Sequence, residues 1–300
     1  KSGEGRISFK APLSTFSPNA TAILDEGNTG EFTAPAQERN RMSDYVNMIP
    51  SSNDGSVTET YMEEFAATGD AAIVDCGNLK PLMTGSFRKV TENPQKIAAH
   101  TKECDDLLLF QPKLMTALRN LLVRKLTDAR DAAIVAKIQG SASLYNLTTV
   151  NTTNPGHFDA IRAAIAQTRS LNHEPTHVFL NPIDAANFEM TKGADGHYMF
   201  VCTCGEGGVV KISTLMVVET NQIPVGDFLL GDMSKVNMKR ITEILIRYGY
   251  GITGVGAAVT DDNVHDVLTI VAEQFLIIYI KQLDSTAFVY DSFANVIAAL

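Results

Sequence analysis

The clearest periodic stretch of the chain lies between Pro112 and Gly140. Apolar residues recur there in steps of three and four, the spacing of one helix face: Met115, Leu118, Leu122, Leu126, Ala129 and Ala133. Proline suits the first turn of a helix, and glycine often follows the last. The pattern predicts a helix over 112–138, about 40 Å long at 1.5 Å per residue. Because the stripe lacks a strict heptad, we expect a core helix that crosses a sheet rather than a coiled coil.

Shorter apolar runs, separated by turn residues, follow in the second half of the chain. They predict helices over 158–171 and 183–190. They also predict strands over 176–180, 215–219, 227–230, 242–247 and 264–280, and a last strand over 287–300 that ends in a small apolar tail. Helices and strands are mixed without regular βαβ alternation, so the predicted fold class is α+β.

Residues 1 to about 55 lack such a pattern. Four prolines interrupt them, with glycine, serine, threonine and asparagine between. Short apolar positions nevertheless recur, at Ile7, Phe9, Leu13, Phe16, Ile23, Leu24 and Phe32. A fully disordered tail carries fewer of these. An extended arm that lies on a neighbour and a loose terminus both fit the composition.

Residues 56–103 separate their charges by sign. The charged residues from Val57 to Leu79 are all acidic, whereas those from Lys80 to Lys102 are basic apart from Glu92. The centre, residues 76–81, is rich in turn signals. We predict a long hairpin with an acidic outgoing strand and a basic returning strand. Such a hairpin has little core of its own, so it is stable mainly when it lies on something else.

Composition and charge narrow the function classes. Hydrophobic residues make up 45% of the chain and charged residues 20%, which is ordinary for a globular protein. The net charge of −9 argues against a protein that binds nucleic acid tightly, although not against one that encloses it. The four cysteines, Cys76, Cys104, Cys202 and Cys204, have no zinc-finger spacing, and we expect free thiols in a reducing cytoplasm.

Motifs for catalysis are nearly missing from the sequence. Residues 249–254 fit GxGxxG after a predicted strand, but the glycine and aspartates that follow prevent a helix from starting there, as a dinucleotide site requires. His173 and His177 are four apart, but Pro175 between them breaks any helix that would align them. No P-loop, GxSxG or HExxH motif occurs. We therefore expect no enzyme, cofactor or metal site, and no apolar window is long enough for a membrane span.

Seven short segments, in order, resemble the major capsid proteins of tailed double-stranded DNA bacteriophages with the Hong-Kong-97-type fold. The first is the turn-rich segment 71–81, which resembles the tip of the extended hairpin that this family calls the E-loop. The others are residues 87–98, the helix from Pro112, residues 178–182 (V-F-L-N-P), residues 192–200, residues 217–232 with Ile223-Pro224 and Gly231-Asp232, and residues 268–288. Two departures occur: Thr214 stands where glycine is usual, and His197 where arginine is common.

The resemblance implies a division of the chain into four parts. These are an N-arm over residues 1–55, an E-loop hairpin over 56–90, a peripheral (P) domain over 91–146 and 241–283 with a spine helix over 112–138, and an axial (A) domain over 147–240 and 284–300. Hairpin and arm are then expected to drape over neighbouring subunits.

The resemblance also implies a structural function. We expect hexamers and pentamers that form an icosahedral shell around packaged double-stranded DNA, in a virion assembled in the bacterial cytoplasm. The expected partners are other copies, a portal, a scaffold or maturation protease and decoration proteins, with DNA enclosed but not recognised by sequence. An encapsulin-like compartment shell of the same fold is the alternative. Because many relatives lose an N-terminal segment to a protease, Lys1 is a candidate mature start.

One chemical possibility follows from the resemblance. Some relatives crosslink an E-loop lysine to an asparagine of a neighbour with the help of a glutamate, and the corresponding positions here are Lys80, Asp266 and Glu273. An aspartate at the asparagine position must be protonated in a dry site before it can form an amide. Asp266 and Glu273 are also seven residues apart, which places them on opposite faces of a regular strand. We therefore favour Lys80 as a surface salt-bridge partner.

Overall fold

The computed structural model describes residues 34–38, 40–50, 57–105, 108, 112–147, 150, 152–191, 211–212, 215–253, 260–262 and 266–300. Within these ranges the helices are α1 Pro112–Ser141, α2 His157–Ser170, α3 Pro182–Glu189 and α4 Phe293–Ala299. The strands within the same ranges are β1 Asn47–Ile49, β2 Glu59–Thr68, β3 Thr84–Glu92, β4 Gln95–Cys104, β5 His177–Leu180, β6 Lys211–Ile212, β7 Leu215–Glu219, β8 Asp227–Gly231, β9 Val236–Arg240, β10 Leu245–Gly249, β11 Ile252–Thr253, β12 Thr260–Asp261, β13 Val267–Ile280 and β14 Phe288–Ser292. Helices and strands are mixed, as predicted.

The chain divides into two compact units. One includes residues 96–130 and 242–275, and the other comprises residues 38–95, 131–241 and 276–300. Residues 96–130 and 242–275 of the first unit fall inside the predicted peripheral domain and cover less of the chain than it does. Residues 34–37, which were predicted as part of the arm, also belong to the first unit. The second combines the predicted axial domain with the hairpin and with the rest of the predicted peripheral residues. The four-part division of the sequence therefore stays a prediction, with boundaries that differ from those of the compact units.

The core of the first unit lies between α1 and a sheet. Within this unit, β13 pairs antiparallel with β10 and also pairs with β4. Leucines spaced by four on α1 contact the buried side of that sheet: Leu114, Leu118, Leu122 and Leu126 against Leu268, Ile270 and Ala272. The helix that we predicted over 112–138 thus begins where expected and packs as a core helix. Its end was predicted too early, because the helical hydrogen bonding continues past Gly140, with Ala142 N–H donating to Ile138 O at 2.7 Å.

The core of the second unit is built on a mixed sheet. Among the described residues its strand order is β14-β8-β5-β7-β6, with β5 antiparallel to β8 and parallel to β7. Apolar residues of the sheet and of helices α2, α3 and α4 form one buried cluster, which includes Ile161, Ile165, Val178, Leu180, Phe188, Phe228, Leu230, Phe293 and Val296. Strands β5, β7 and β8 and helices α2 and α3 lie within one residue of their predicted bounds.

Two elements of the second unit were predicted wrongly. The segment 287–300 was predicted as a strand with an apolar tail, but the strand ends at Ser292 and helix α4 follows, with the Ser292 hydroxyl accepting from Asn295 N–H at 3.2 Å. The predicted tail is helical because Phe293 and Val296, three apart, fall on one buried face. Strand β9 was missed, because it buries Asn237 and Lys239, which no hydrophobic pattern marks.

Residues 40–50 were assigned to the arm but are packed into the second unit. Met42 and Val46 are buried, and Arg41 forms an ion pair with the buried carboxylate of Asp131 at 3.3 Å. Strand β1 pairs parallel with β9, with Asn47 opposite Asn237. The predicted arm over residues 1–33 lies outside the described residues, as do the motif at 192–200, Thr214, Cys202 and Cys204.

Side chains at the start of α3 connect this helix to the turn before β8. Asn181 caps α3 by accepting from Ile183 N–H at 3.1 Å, and its amide donates to Ile223 O at 3.0 Å. Asp184, in the first turn of the same helix, accepts from Gly226 N–H at 2.7 Å. The start of α3 and the turn before β8 are thereby held by side chains of one short motif.

Gly231 permits a close approach of two strands. A Cβ at this position would lie 2.3 Å from Cδ1 of Phe288, which is opposite it on β14. The next residue, Asp232, accepts from Ser234 N–H at 3.1 Å and begins a short 3-10 helix. Gly231 thus allows the close packing of two strands, and Asp232 stabilises the turn that follows.

Candidate functional site

The hairpin predicted over 56–90 is present as strands β2 and β3, of which β3 continues to Glu92. The two strands pair antiparallel from Glu59 opposite Glu92 to Thr68 opposite Thr84, with a bulge at Phe65. Within the described residues these two strands form a sheet of their own, and a two-stranded sheet is at best marginally stable alone.

The hairpin continues beyond its strands into a long tip over residues 69–83. Gly69 and Gly77 both adopt positive φ angles, 91° and 96°, which glycine accepts without strain. A Cβ at Gly69 would lie 2.3 Å from the carbonyl oxygen of Leu82. Asn78 N–H donates to Asp75 O at 3.1 Å and closes the turn that residues 76–81 predicted.

The hairpin exposes large apolar side chains along its whole length. Leu79 at the tip is 96% exposed and Phe87 on β3 is 68% exposed. The others in this exposed set are Met62, Phe65, Ile73, Leu82 and Met83. We call these seven side chains the exposed apolar set. Isolated exposed apolar residues are common, but a concentration of this kind in one element is typical of a surface that another protein covers.

The face of the hairpin opposite Met62 and Phe87 is anchored to the rest of the second unit by a buried carboxylate. Glu63 is 3% exposed, and its Oε2 accepts from Arg88 Nε at 3.2 Å and Nη2 at 2.7 Å. Its Oε1 accepts from the backbone N–H of Gln282 at 2.7 Å. Arg88 also donates to the side chain of Gln282 and lies over the ring of Phe65. Among the described residues, the predicted pairing of an acidic outgoing strand with a basic returning strand is thus realised in one ion pair, of which the carboxylate is buried and the guanidinium is partly exposed.

A second contact lies nearer the root of the hairpin. Lys239 of β9, 3% exposed, forms an ion pair with Glu59 of β2 at 2.8 Å. Between the two ion pairs, the rings of Tyr61 and Tyr279 stack with centroids 5.2 Å apart. Burial, followed by the charge of Glu63, raises the pKa of Tyr61 to about 12. We call Glu59, Glu63, Arg88, Lys239 and Gln282 the hairpin anchor.

The three residues of the predicted crosslink occupy different environments. Lys80 is exposed in the hairpin tip. Asp266 is exposed and has a φ of 52°, and it precedes β13 rather than lying on it, so the argument about opposite strand faces does not apply. Glu273 is buried on β13 and forms ion pairs with Lys96 and, at 2.9 Å, with Arg247. The hydrogen bond from Lys96 and the charge of Arg247 lower the pKa of Glu273, which disfavours it as a proton acceptor; the crosslink itself stays a prediction.

The structure also locates the other motifs considered in the sequence, namely part of the GxGxxG segment, two histidines and two cysteines. Gly249 ends β10 and residues 252–253 form β11, so an extended strand stands where a dinucleotide site needs the start of a helix. His177 is half-buried on β5, where burial lowers its pKa, while His173 contacts Thr286 at 3.0 Å. Cys76 is exposed and Cys104 buried, both as free thiols. Within the described residues no cluster of ligands could hold a metal ion, and no helix is long and apolar enough to cross a membrane.

Comparison with known proteins assigns the family. The family model of the phage capsid family matches residues 24–248, about three quarters of the chain. The chain belongs to the phage capsid family. As a capsid protein it is a structural component of the phage virion. A search of curated protein sequences finds no significant match.

Solved structures share the fold of this capsid protein at low sequence identity. A chain from Mycobacterium phage Adephagia is 12% identical with a TM-score of 0.66, covering 92% of this chain and 96% of that one. A chain from Microbacterium phage Oxtober96 is 14% identical with a TM-score of 0.65, covering 92% and 98%. A structure described as the capsid of a native GTA particle computed with C5 symmetry is 13% identical with a TM-score of 0.63, covering 93% and 98%. At such identities the likeness concerns the fold alone.

Sequence reasoning located the hairpin but missed its anchor. Glu63 and Glu59 were counted among the charges of an acidic strand, and Lys239 lay in a strand that was not predicted. The only signal in the sequence was the opposite charge of the two halves of the hairpin, which predicts pairing across the strands but not burial.

Proposed function

We propose that this chain is the major capsid protein of a tailed double-stranded DNA bacteriophage. It assembles as hexamers and pentamers into an icosahedral shell that encloses the packaged genome. Family membership supports the capsid role, and the fold shared with a particle solved in C5 symmetry is compatible with five-fold rings of this chain.

The observation that carries the proposal is the exposed apolar set. An isolated subunit would leave these seven side chains in water, where each loses the stabilisation that burial provides. Fully burying a leucine or phenylalanine side chain contributes about 1.5–3 kcal/mol. Several such side chains on one hairpin therefore favour association with other copies, and the hairpin is the element that crosses to a neighbour.

The charge of the chain suits a container for DNA. The net charge of −9 disfavours tight binding of phosphates, and DNA is enclosed without sequence-specific recognition. Assembly takes place in the bacterial cytoplasm. A portal, a scaffold or maturation protease and decoration proteins are the further partners of such a shell.

Electron microscopy of the expressed protein tests the proposal. We expect closed particles tens of nanometres across, in which three-dimensional reconstruction resolves pentamers and hexamers. A stable monomer of 32.5 kDa under all assembly conditions would contradict the proposal. Shells that contain one constant protein cargo, identified by mass spectrometry of washed particles, would instead favour the encapsulin-like alternative.

A further inference from the structure

The hairpin anchor joins a marginal element to a well-packed one. Strands β2 and β3 form a separate two-stranded sheet, whereas residues 276–280 of β13 pair with β9 in the second unit. The anchor contacts fall where these two parts meet: Glu63 with Gln282 just after β13, and Glu59 with Lys239 on β9. Without these contacts the hairpin would be held mainly by the chain connections at its root.

Both carboxylate oxygens of Glu63 accept hydrogen bonds in this arrangement. Three N–H groups donate to its two oxygens, two from Arg88 and one from the backbone of Gln282. A glutamine in its place has one oxygen and one NH2 group, so it can accept on one side only and must turn a donor towards the other. The site therefore requires a carboxylate for two reasons: its negative charge pairs with Arg88, and it accepts hydrogen bonds at both oxygens.

The two ion pairs stand on either side of a stacked tyrosine pair. Tyr61 lies between Glu59 and Glu63 on β2 and stacks on Tyr279, while Nζ of Lys281 lies 6.0 Å from the centre of the Tyr61 ring. Glu59, Tyr61 and Glu63 are three successive inward-facing positions of one strand. Contacts at all three restrict both the angle at which the hairpin leaves the rest of the second unit and its rotation about its own axis. One contact alone would leave a pivot.

We propose that Glu59, Glu63, Arg88 and Lys239 are positioning residues that fix the direction of the hairpin on the unassembled subunit. The inference rests on the proposed assembly function, because the purpose of a fixed direction is to present the exposed apolar set to a second copy. A preset hairpin loses less conformational freedom on association than a mobile one, so assembly proceeds at lower protein concentration.

Spin-label distances test the direction of the hairpin on protein kept below its assembly concentration. The natural thiol of Cys76 labels the tip, and an introduced Ile183→Cys on α3 provides the second label. Cys202→Ser and Cys204→Ser remove two further thiols, and the remaining one, Cys104, is buried. Dilution with unlabelled protein suppresses distances between subunits. We expect a narrow distance distribution in this background, at least a doubling of its width with Glu63→Gln, and no change with Glu64→Gln, the exposed neighbour on the same strand.

A second variant and a local probe keep the test decisive if Glu63→Gln folds poorly. Arg88→Gln removes the same ion pair from its more exposed side, and we expect the same broadening. Hydrogen exchange at the Gln282 amide, which donates to Glu63, should accelerate in both variants and stay unchanged in Glu64→Gln. Equal distribution widths in the background, Glu63→Gln and Arg88→Gln proteins would overturn the proposal, as would a broad distribution in the background protein itself.

Assembly measurements separate this inference from the proposed function. Light scattering should show half-maximal assembly of Glu63→Gln at a several-fold higher concentration than wild type, with Glu64→Gln unchanged. Unchanged assembly despite a broadened hairpin would overturn the positioning role. A wild-type protein that forms no shells contradicts the proposed function but not the fixed direction, because the label distances are measured on unassembled protein.

Discussion

The sheet of the second unit and the hairpin that extends from that unit bury their aromatic residues to opposite extents. Phe228 on β8 is completely buried between strands and helices of its own chain, whereas Phe87 on β3 is 68% exposed. Both are phenylalanines in antiparallel strands, and each directly follows a polar residue, Asp227 or Ser86. The difference teaches that one region is completed by its own chain, while the other requires a surface that another molecule supplies.

The largest effect on the stability of the unassembled protein is expected from Phe228→Ala. Removing a fully buried ring leaves a cavity in the cluster with Phe293 and costs about 3–5 kcal/mol of unfolding free energy. Denaturant unfolding measures this loss. The matched control is Phe87→Ala, for which we expect a change within about 0.5 kcal/mol. Equal losses for the two variants would show that the hairpin is already covered in the free subunit.

The tip of the hairpin should show the reverse behaviour. Ile73→Ser with Leu79→Ser should leave unfolding of the free subunit unchanged, because both side chains are exposed there. If each is buried on assembly, each should weaken subunit association by about 1.5–3 kcal/mol. Light scattering against protein concentration measures the shift. Wild-type assembly by this double variant would contradict a contact role for the tip.

Loss of the two Asn181 hydrogen bonds at the start of α3 should have an intermediate effect on the free energy of unfolding. Asn181→Ala removes the helix cap and the hydrogen bond to Ile223 O, for an expected loss of about 1–2 kcal/mol. Asn187→Ala, an exposed position of the same helix, is the control and should change stability little. Thermal and denaturant unfolding of both variants measure the difference. A loss no larger than that of the control would show that the two hydrogen bonds are not needed.

A smaller, pH-dependent effect is expected at Glu273 of the first unit. Its pKa is lowered by the hydrogen bond from Lys96 and the charge of Arg247, so the folded state binds its proton more weakly than the unfolded state does. Its contribution to stability is therefore present above the ordinary glutamate pKa of about 4.3 and is lost as pH falls through the lowered value. Unfolding curves of wild type and Glu273→Gln should converge below that range and diverge above it. Parallel curves at every pH would contradict the assignment.

The smallest effect is expected at Lys80. We predict that assembled particles separate into monomers under denaturing conditions, and that Lys80→Ala leaves their intact mass pattern unchanged apart from the substitution. The lowered pKa of Glu273 supports this expectation, because a glutamate held as a carboxylate by two cations is a poor proton acceptor. A ladder of covalent multimers that disappears with Lys80→Ala would contradict it and establish the crosslink.

Local signals predicted most of the second unit. The buried run before Asn181-Pro182 marks β5 and the start of α3 within one residue, because a strand of apolar residues followed by a capping residue and proline has few other local solutions. Strand β8 was predicted over 227–230 and ends one residue later, at Gly231. The failures were β9, where buried Asn237 and Lys239 conceal the strand, and α4, where a helix of seven residues is too short to show a period.

The sequence by itself determined the mixed fold, the long helix, the existence of a hairpin without its own core and the family to which the chain belongs. These follow from hydrophobic spacing, turn residues and short ordered motifs, all of which act over a few residues. Only the tertiary structure decided that Glu63 and Lys239 are buried, that the first meets Gln282 and the second Glu59, and that the opposite face of the hairpin is open. The physical reason is that burial of a charge depends on partners far away in the chain. The spacing of residues along the sequence does not predict which distant groups come into contact.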